Sequence, residues 1–179
     1  MGMNDILNWI FGIVGVAGFL LAFALAWIEW HRYRLPLQMV LKEIDYYGSK
    51  EGNHLVVLWL AFVNPASAGK TVFRVQCGAP NSEDVSKCPT QYDRGHDTVI
   101  FRLPDSENAH EIAKNELLWP PLDISPNQSQ IKAIPLFLKT TDNSSQHPQV
   151  HLRLIAFDVL GNNLASVDQT IELKTHQIF

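Results

Sequence analysis

From Ile6 to Ile28 the chain carries no charged side chain, and Asn8 is the one strongly polar residue in the run. As an α-helix these 23 positions rise ~34 Å, enough to cross a hydrocarbon core of ~30 Å with some tilt. A backbone in lipid must satisfy its own hydrogen bonds, and a helix does so without a partner. The run is apolar on every side, so an amphipathic surface helix does not fit it. Trp9 sits near one end, and Trp27, Trp30 and Tyr33 sit near the other, interleaved with Arg32 and Arg34. Aromatic and basic side chains of this kind prefer the headgroup level, so these six are read as interfacial anchors. A cleaved signal peptide is the rival reading, with Ala24-Leu25-Ala26 before Trp27 as a cleavage site. Residues 1–5 hold no Lys or Arg, however, and Asp5 has the wrong sign for that role.

After Leu37 the pattern changes to short apolar or alternating runs separated by turn residues. Leu37–Tyr46 alternates in part. His54–Val63 is a dense apolar run that reads as a central buried strand, ended by Asn64-Pro65. Lys70–Cys77 alternates, and Gly78–Asp97 reads as a long loop with room for an edge strand or a short helix. Thr98–Leu103 is a strand, whereas Asp105–Leu118 has apolar residues near helical spacing and is expected to hold a helical turn. Gln130–Lys139 is a strand whose Pro135 demands an edge position or a bulge, because proline cannot donate to a ladder. Gln149–Val159 and Leu164–Lys174 flank Gly161-Asn162-Asn163 as a hairpin. The predicted layout is a stub at 1–5, a transmembrane helix at 6–30, a basic juxtamembrane linker at 31–36 and a β domain at 37–179. The fold class is mainly β: one N-terminal transmembrane helix followed by an immunoglobulin-like antiparallel β-sandwich of about seven strands.

The block Leu55–Val75, LVVLWLAFVNPASAGKTVFRV, is a hydrophobic strand ending in Asn-Pro, a small-residue turn and then an alternating strand. It resembles the corresponding segment of late-embryogenesis-abundant type 2-like domains. The resemblance implies an immunoglobulin-like sandwich set just after a membrane helix, with a binding or structural role and no particular ligand.

Charge and candidate chemistry narrow the function classes. After Arg34 the chain has 12 Lys and Arg against 16 Asp and Glu, with no basic cluster, which argues against nucleic acid as a partner. No cofactor or metal site is expected. The pair His147 and His151 is four apart across a proline in a strand-like context, and that spacing converges on a helix, not on a strand. The densest polar cluster is Tyr92-Asp93-Arg94-Gly95-His96-Asp97, and Tyr92, Asp93, Arg94 and His96 are carried as a candidate binding loop. No catalytic motif accompanies them, so the chain is read as non-enzymatic. Cys77 and Cys88 would be two reduced thiols in a cytoplasmic domain.

His31, Arg32 and Arg34 follow the helix directly, whereas Asp5 opposes the amine at the other end. Basic flanks stay cytoplasmic, so the β domain is expected in the cytoplasm, beneath an inner or plasma membrane. Gly18, Ala22 and Ala26 recur every four residues, and Gly12 and Gly15 extend the small-residue surface. Small side chains let a second helix approach closely. The leading expectation is therefore a single-pass, non-catalytic accessory subunit whose partners are the membrane and other membrane-protein subunits. The alternative is a free-standing anchored module that binds a peptide or small ligand through its loops. Replacing both Ala22 and Ala26 with Leu is expected to weaken helix association in the bilayer, read as loss of energy transfer between labelled copies or partners. Unchanged association would place this stripe against lipid.

Overall fold

The computed structural model describes residues 2–50, 53–78, 84–87, 91–92, 97–101, 110–139 and 149–172. One helix, α1 (Met3–Tyr33), precedes twelve described strands: β1 (Gln38–Lys50), β2 (Asn53–Asn64), β3 (Lys70–Val72), β4 (Arg74–Gly78), β5 (Asp84–Lys87), β6 (Gln91–Tyr92), β7 (Thr98–Phe101), β8 (His110–Ala113), β9 (Leu122–Ile124), β10 (Gln128–Lys139), β11 (Gln149–Phe157) and β12 (Asn163–Glu172). They form a sheet of order β1-β2-β10-β5, a sheet β12-β11-β4, a small sheet β6-β7-β8 and the pair β3-β9. Every strand pair described is antiparallel. The result is one long apolar helix followed by a sandwich-like β domain. The expected Lys70–Cys77 strand is split at Phe73 into β3 and β4, and the strands beyond the expected set, β5, β6, β8 and β9, are pieces of two to four residues, too short to leave a pattern of their own.

The dense apolar run of β2 has a direct physical cause. Alternate residues of a strand point to opposite faces, and both faces of β2 are covered. Val56, Leu58, Leu60 and Phe62 enter the main core against β4, β11 and β12, together with Val75, Leu152, Leu154 and Ile171. Leu55 and Val57 enter a second core with Val99, Phe101, Ile112, Leu117 and Ala133, roofed by β7 and β8. A strand buried on both sides has no solvent face and so loses the alternation of a half-buried one. β11 has one buried face only, and its burial alternates accordingly.

Two expectations about β10 and its neighbours resolve at this point. Pro135 pairs opposite Val57 within an unbroken register, so there is no bulge. Ala133 donates to Glu116 O at 2.7 Å and accepts from Leu118 N at 2.9 Å, both on the edge away from β2. The nitrogen two residues later faces the same way, and β5 joins that edge only from Leu136. The missing donor of Pro135 therefore falls in a local gap of the outer ladder of an interior strand and not at a sheet edge. The helical turn expected in Asp105–Leu118 is not found in its described part: His110–Ala113 is a strand paired with β7, and Leu117 bridges Ala133. Ile112 and Leu117 are drawn into the second core, and that packing outweighs a weak helical spacing. Within Gly78–Asp97, β5 supplies the edge strand.

Asn64 closes the end of β2. It is fully buried, and its Nδ2 donates to Ala68 O at 2.8 Å, Ile124 O at 3.0 Å and Ser125 O at 3.2 Å. Its Oδ1 accepts from Ala66 N at 3.1 Å. Asn127, with a positive φ of 55°, donates its N–H to Ala66 O at 3.3 Å. One side chain thus ties the strand end to the 66–68 turn and to the β9–β10 turn. Asn64→Ala is expected to destabilise the domain by about 2–4 kcal/mol, because it strands buried backbone groups without partners. Denaturant unfolding of the full chain in micelles, followed by tryptophan fluorescence, reads this; a change under ~0.5 kcal/mol would remove Asn64 from this role.

Candidate functional site at the helix–sandwich junction

α1 remains helical through His31, Arg32 and Tyr33, which the sequence pattern assigned to the linker. Nothing breaks it before Pro36, whose ring disfavours helix at Leu35. The connection to β1 is therefore Arg34–Leu37 alone, and Leu37, at 3% exposure, is already part of the main core. Arg34 N donates to Trp30 O and His31 O at 3.3 and 3.2 Å, and Leu35 N to Arg32 O at 3.4 Å. Arg32 O also accepts from Ser67 N at 3.3 Å, so the last helical turn is tied to the 66–68 turn that Asn64 holds.

Three of the six predicted interfacial residues, Trp27, Trp30 and Arg34, form a contiguous ladder with Phe23. Phe23 and Trp27 stack with centroids 6.4 Å apart, Trp27 and Trp30 meet edge-on at 6.1 Å, and Arg34 Cζ lies 4.5 Å over the Trp30 ring. Steps of three and four residues place these groups on one helical face. Trp27, Trp30, His31 and Arg34 line a shallow open depression there. Indole faces attract the guanidinium, and the pair presents one apolar and one cationic surface side by side. Trp9, Tyr33 and Arg32 are exposed at their own positions.

Apolar side chains of α1 from Trp9 onward stay about half to more than two-thirds exposed, and none of the span Trp9–Tyr33 is buried against the rest of the chain. Open space surrounds Gly12, Gly15 and Gly18, with no atom within 4 Å of where a Cβ would stand. Ala22 and Ala26 are exposed as well. A helix this apolar and this bare is consistent with a membrane anchor or a signal sequence.

The same end of the domain carries the β11–β12 hairpin. Asp158 Oδ1 accepts from Leu160 N and Asn162 N, each at 2.8 Å, and Oδ2 accepts from Asn162 Nδ2 at 2.8 Å. Gly161 takes a φ of 83°, open to glycine at no steric cost. The bonds from the Asn162 side chain, and then from the turn amides, hold the Asp158 carboxyl below its ordinary range. Asp158 accordingly bonds its own turn backbone, and Asp168 faces Arg153 at 3.7 Å across β11–β12.

Other candidate groups divide between described and undescribed residues. Asp93, Arg94 and His96 lie outside the described residues, and Tyr92 is placed in β6, paired opposite Val99. Cys77 is on β4 opposite Leu154, and Cys88 lies outside the described residues, as does His147. His151 Nδ1 is 3.2 Å from Thr170 Oγ1 across the hairpin. Among the described residues no group of three His, Cys, Asp or Glu side chains could hold a metal ion. Sequence reasoning missed a half-buried aromatic cluster in which Tyr47 meets His110 at 4.5 Å and Phe101 at 5.6 Å. Burial pushes the His110 imidazole down, against an opposing hydrogen bond with the Tyr47 backbone. Burial also lowers His54, which is 2% exposed.

No family model matches this chain. No curated protein matches it either. Among solved structures, a "putative lipoprotein (ycdA)" from Bacillus subtilis subsp. subtilis str. 168 is similar at 13% identity with a TM-score of 0.44. The likeness covers 76% of this chain and 36% of that one, so this chain spans about a third of that structure.

The Asp158 turn gives a pH prediction. Folding lowers this pKa, so its contribution to the hairpin is complete above the unfolded value of 3.8 and is lost as pH falls through the folded one. Carboxyl NMR titration should place the Asp158 midpoint below 3.8, and Asn162→Ala should bring it back up. A midpoint at or above the ordinary value would contradict the turn geometry.

Proposed function

We propose that this chain is a single-pass membrane-anchored, non-catalytic accessory or scaffolding subunit of a larger membrane protein complex. The observation that carries the reading is the bare apolar helix joined to a folded domain by four residues, the last of them in the core. Four residues extend no further than ~14 Å, and Pro36 stiffens them, so the domain stays beside the membrane that holds α1. In this reading Gly12, Gly15, Gly18, Ala22 and Ala26 pack against other transmembrane helices, and the sandwich covers or bridges partner subunits. Basic residues at the helix end favour a cytoplasmic domain at an inner or plasma membrane. The resemblance of Leu55–Val75 to late-embryogenesis-abundant type 2-like domains, which carry binding or structural roles, agrees with a non-catalytic role.

Extraction in a mild detergent followed by native-size separation tests this. The account expects the chain to migrate with a large complex whose other members are identified alongside it. Migration as a lone 20.2 kDa species plus detergent would overturn the subunit reading. Protease added from each side of the membrane should cut the β domain from the cytoplasmic side alone; cutting only from outside would reverse the orientation.

A further inference from the structure

The β11–β12 hairpin tip is more exposed than its composition warrants. Val159 is 70% and Leu160 82% exposed, although the turn is rigidly tied by Asp158. Phe73, 51% exposed, lies beside it, because Phe73 N donates to Phe157 O at 2.8 Å. Two apolar side chains held out on a fixed turn, with a third exposed apolar residue on the adjoining backbone, make a surface in want of a partner.

Strand register says where that surface points. At the far end of the domain the Tyr46 hydroxyl, on β1, donates to Glu172 O, on β12. Counting back from that bond, Gln38 is eight residues upstream on β1 and Asn163 nine residues upstream on β12. At ~3.3 Å per residue, the two strand starts lie about 26 and 30 Å away from it along their strands. A second tie shows that they lie toward the same end. Asn64, beside the start of β1 through the Gln38↔Val63 pair, bonds Ile124 O; Ile124 pairs with Lys70, and β3 leads within three residues to Phe73 and so to Phe157. Asn163 pairs with Phe157, so β12 begins at the end where α1 enters. Val159 and Leu160 precede Asn163 by four and three residues and so project beyond the strand starts, on the side of α1.

We infer that the Val159–Leu160 tip enters the headgroup and upper acyl region of the same bilayer that α1 spans, as a second membrane contact. The inference rests on the anchor reading of α1. A lipid surface suits the chemistry of the tip better than water does, because exposed apolar side chains are stabilised when they move from water into an apolar medium. The charges at this end also suit a membrane. Arg32, Arg34, Lys70 and Arg74 lie near the junction or the tip, with Arg74 Cζ 4.7 Å over the Phe157 ring. The neighbouring carboxylates of Asp158 and Asp123 are occupied, the first by its turn and the second by Thr71 Oγ1 at 2.6 Å. Glu29 precedes this group in the last turns of α1. A helix and a hairpin tip in one bilayer fix the rotation of the domain as well as its height.

Photo-crosslinking of the full chain tests this in phosphatidylcholine–phosphatidylglycerol nanodiscs containing a lipid with a diazirine near the glycerol end of its acyl chain. The adducts are mapped by mass spectrometry. The inference expects adducts on α1 and on Val159 or Leu160. In the double variant Val159→Asp with Leu160→Asp, the tip adducts are lost and those on α1 remain. Both positions are exposed and the turn bonds use backbone amides, so the variant leaves the fold intact. Adducts on α1 with none at the tip of the unaltered chain would overturn the second contact and leave the anchor standing. No adducts on α1 would overturn the anchor reading and this inference with it.

Discussion

The carboxamide of Asn64 is the point through which the helix-proximal end of this protein is organised. It is fully buried, and its one amide group reaches three carbonyls on two different turns while its oxygen takes an amide from one of them. A buried amide left unpaired is costly, so the site tolerates little besides asparagine. Because the 66–68 turn is held this way, Ser67 N can meet the carbonyl of Arg32, and the helix end acquires a fixed neighbour. Over Trp9–Tyr33 the helix buries none of its side chains against the domain. The hydrogen bonds around Asn64, together with Leu37 in the core, are what keep the two parts from swinging freely.

The double burial of β2 gives that knot a rigid base. A strand with a core on each face anchors both the main layer and the smaller roof of β7 and β8. The opposite sheet is built differently: β11 and β12 carry one buried face and one wet face, and their hairpin projects past the core as a stiff finger. Rigidity runs from β2 through Asn64 to the junction, and through β3 and Phe73 to the hairpin. Such a domain transmits position well from the helix end to the hairpin.

Much of this was legible in the chain and some was not. The helix is written in the Ile6–Ile28 run, and the central strand in His54–Val63, because extreme burial leaves unmixed apolar sequence. Pro135 signalled a break in strand pairing, which falls in a local gap of the outer ladder of an interior strand and not at a sheet edge. The true end of α1 was harder to see, because His31–Tyr33 are polar enough to look like linker and only Pro36 sets a firm limit. Short strands such as β6 and β9 carry too few residues to show a period, and the weak helical spacing of the Asp105–Leu118 segment is overruled where β8 packs against β7. The hairpin tip could be placed as a turn from Gly161-Asn162-Asn163, but its position near the helix depends on the Tyr46–Glu172 and Phe73–Phe157 contacts, which no local pattern encodes.

Neutron reflectometry on supported bilayers holding the full chain tests the central claim most directly, that a bare spanning helix seats the sandwich on the membrane through a junction of four residues. The account predicts helix density within the hydrocarbon and a protein layer that starts at the headgroups with no water layer between. A water-filled gap wider than the ~14 Å that four extended residues can span, or hydrocarbon free of protein density, would contradict it.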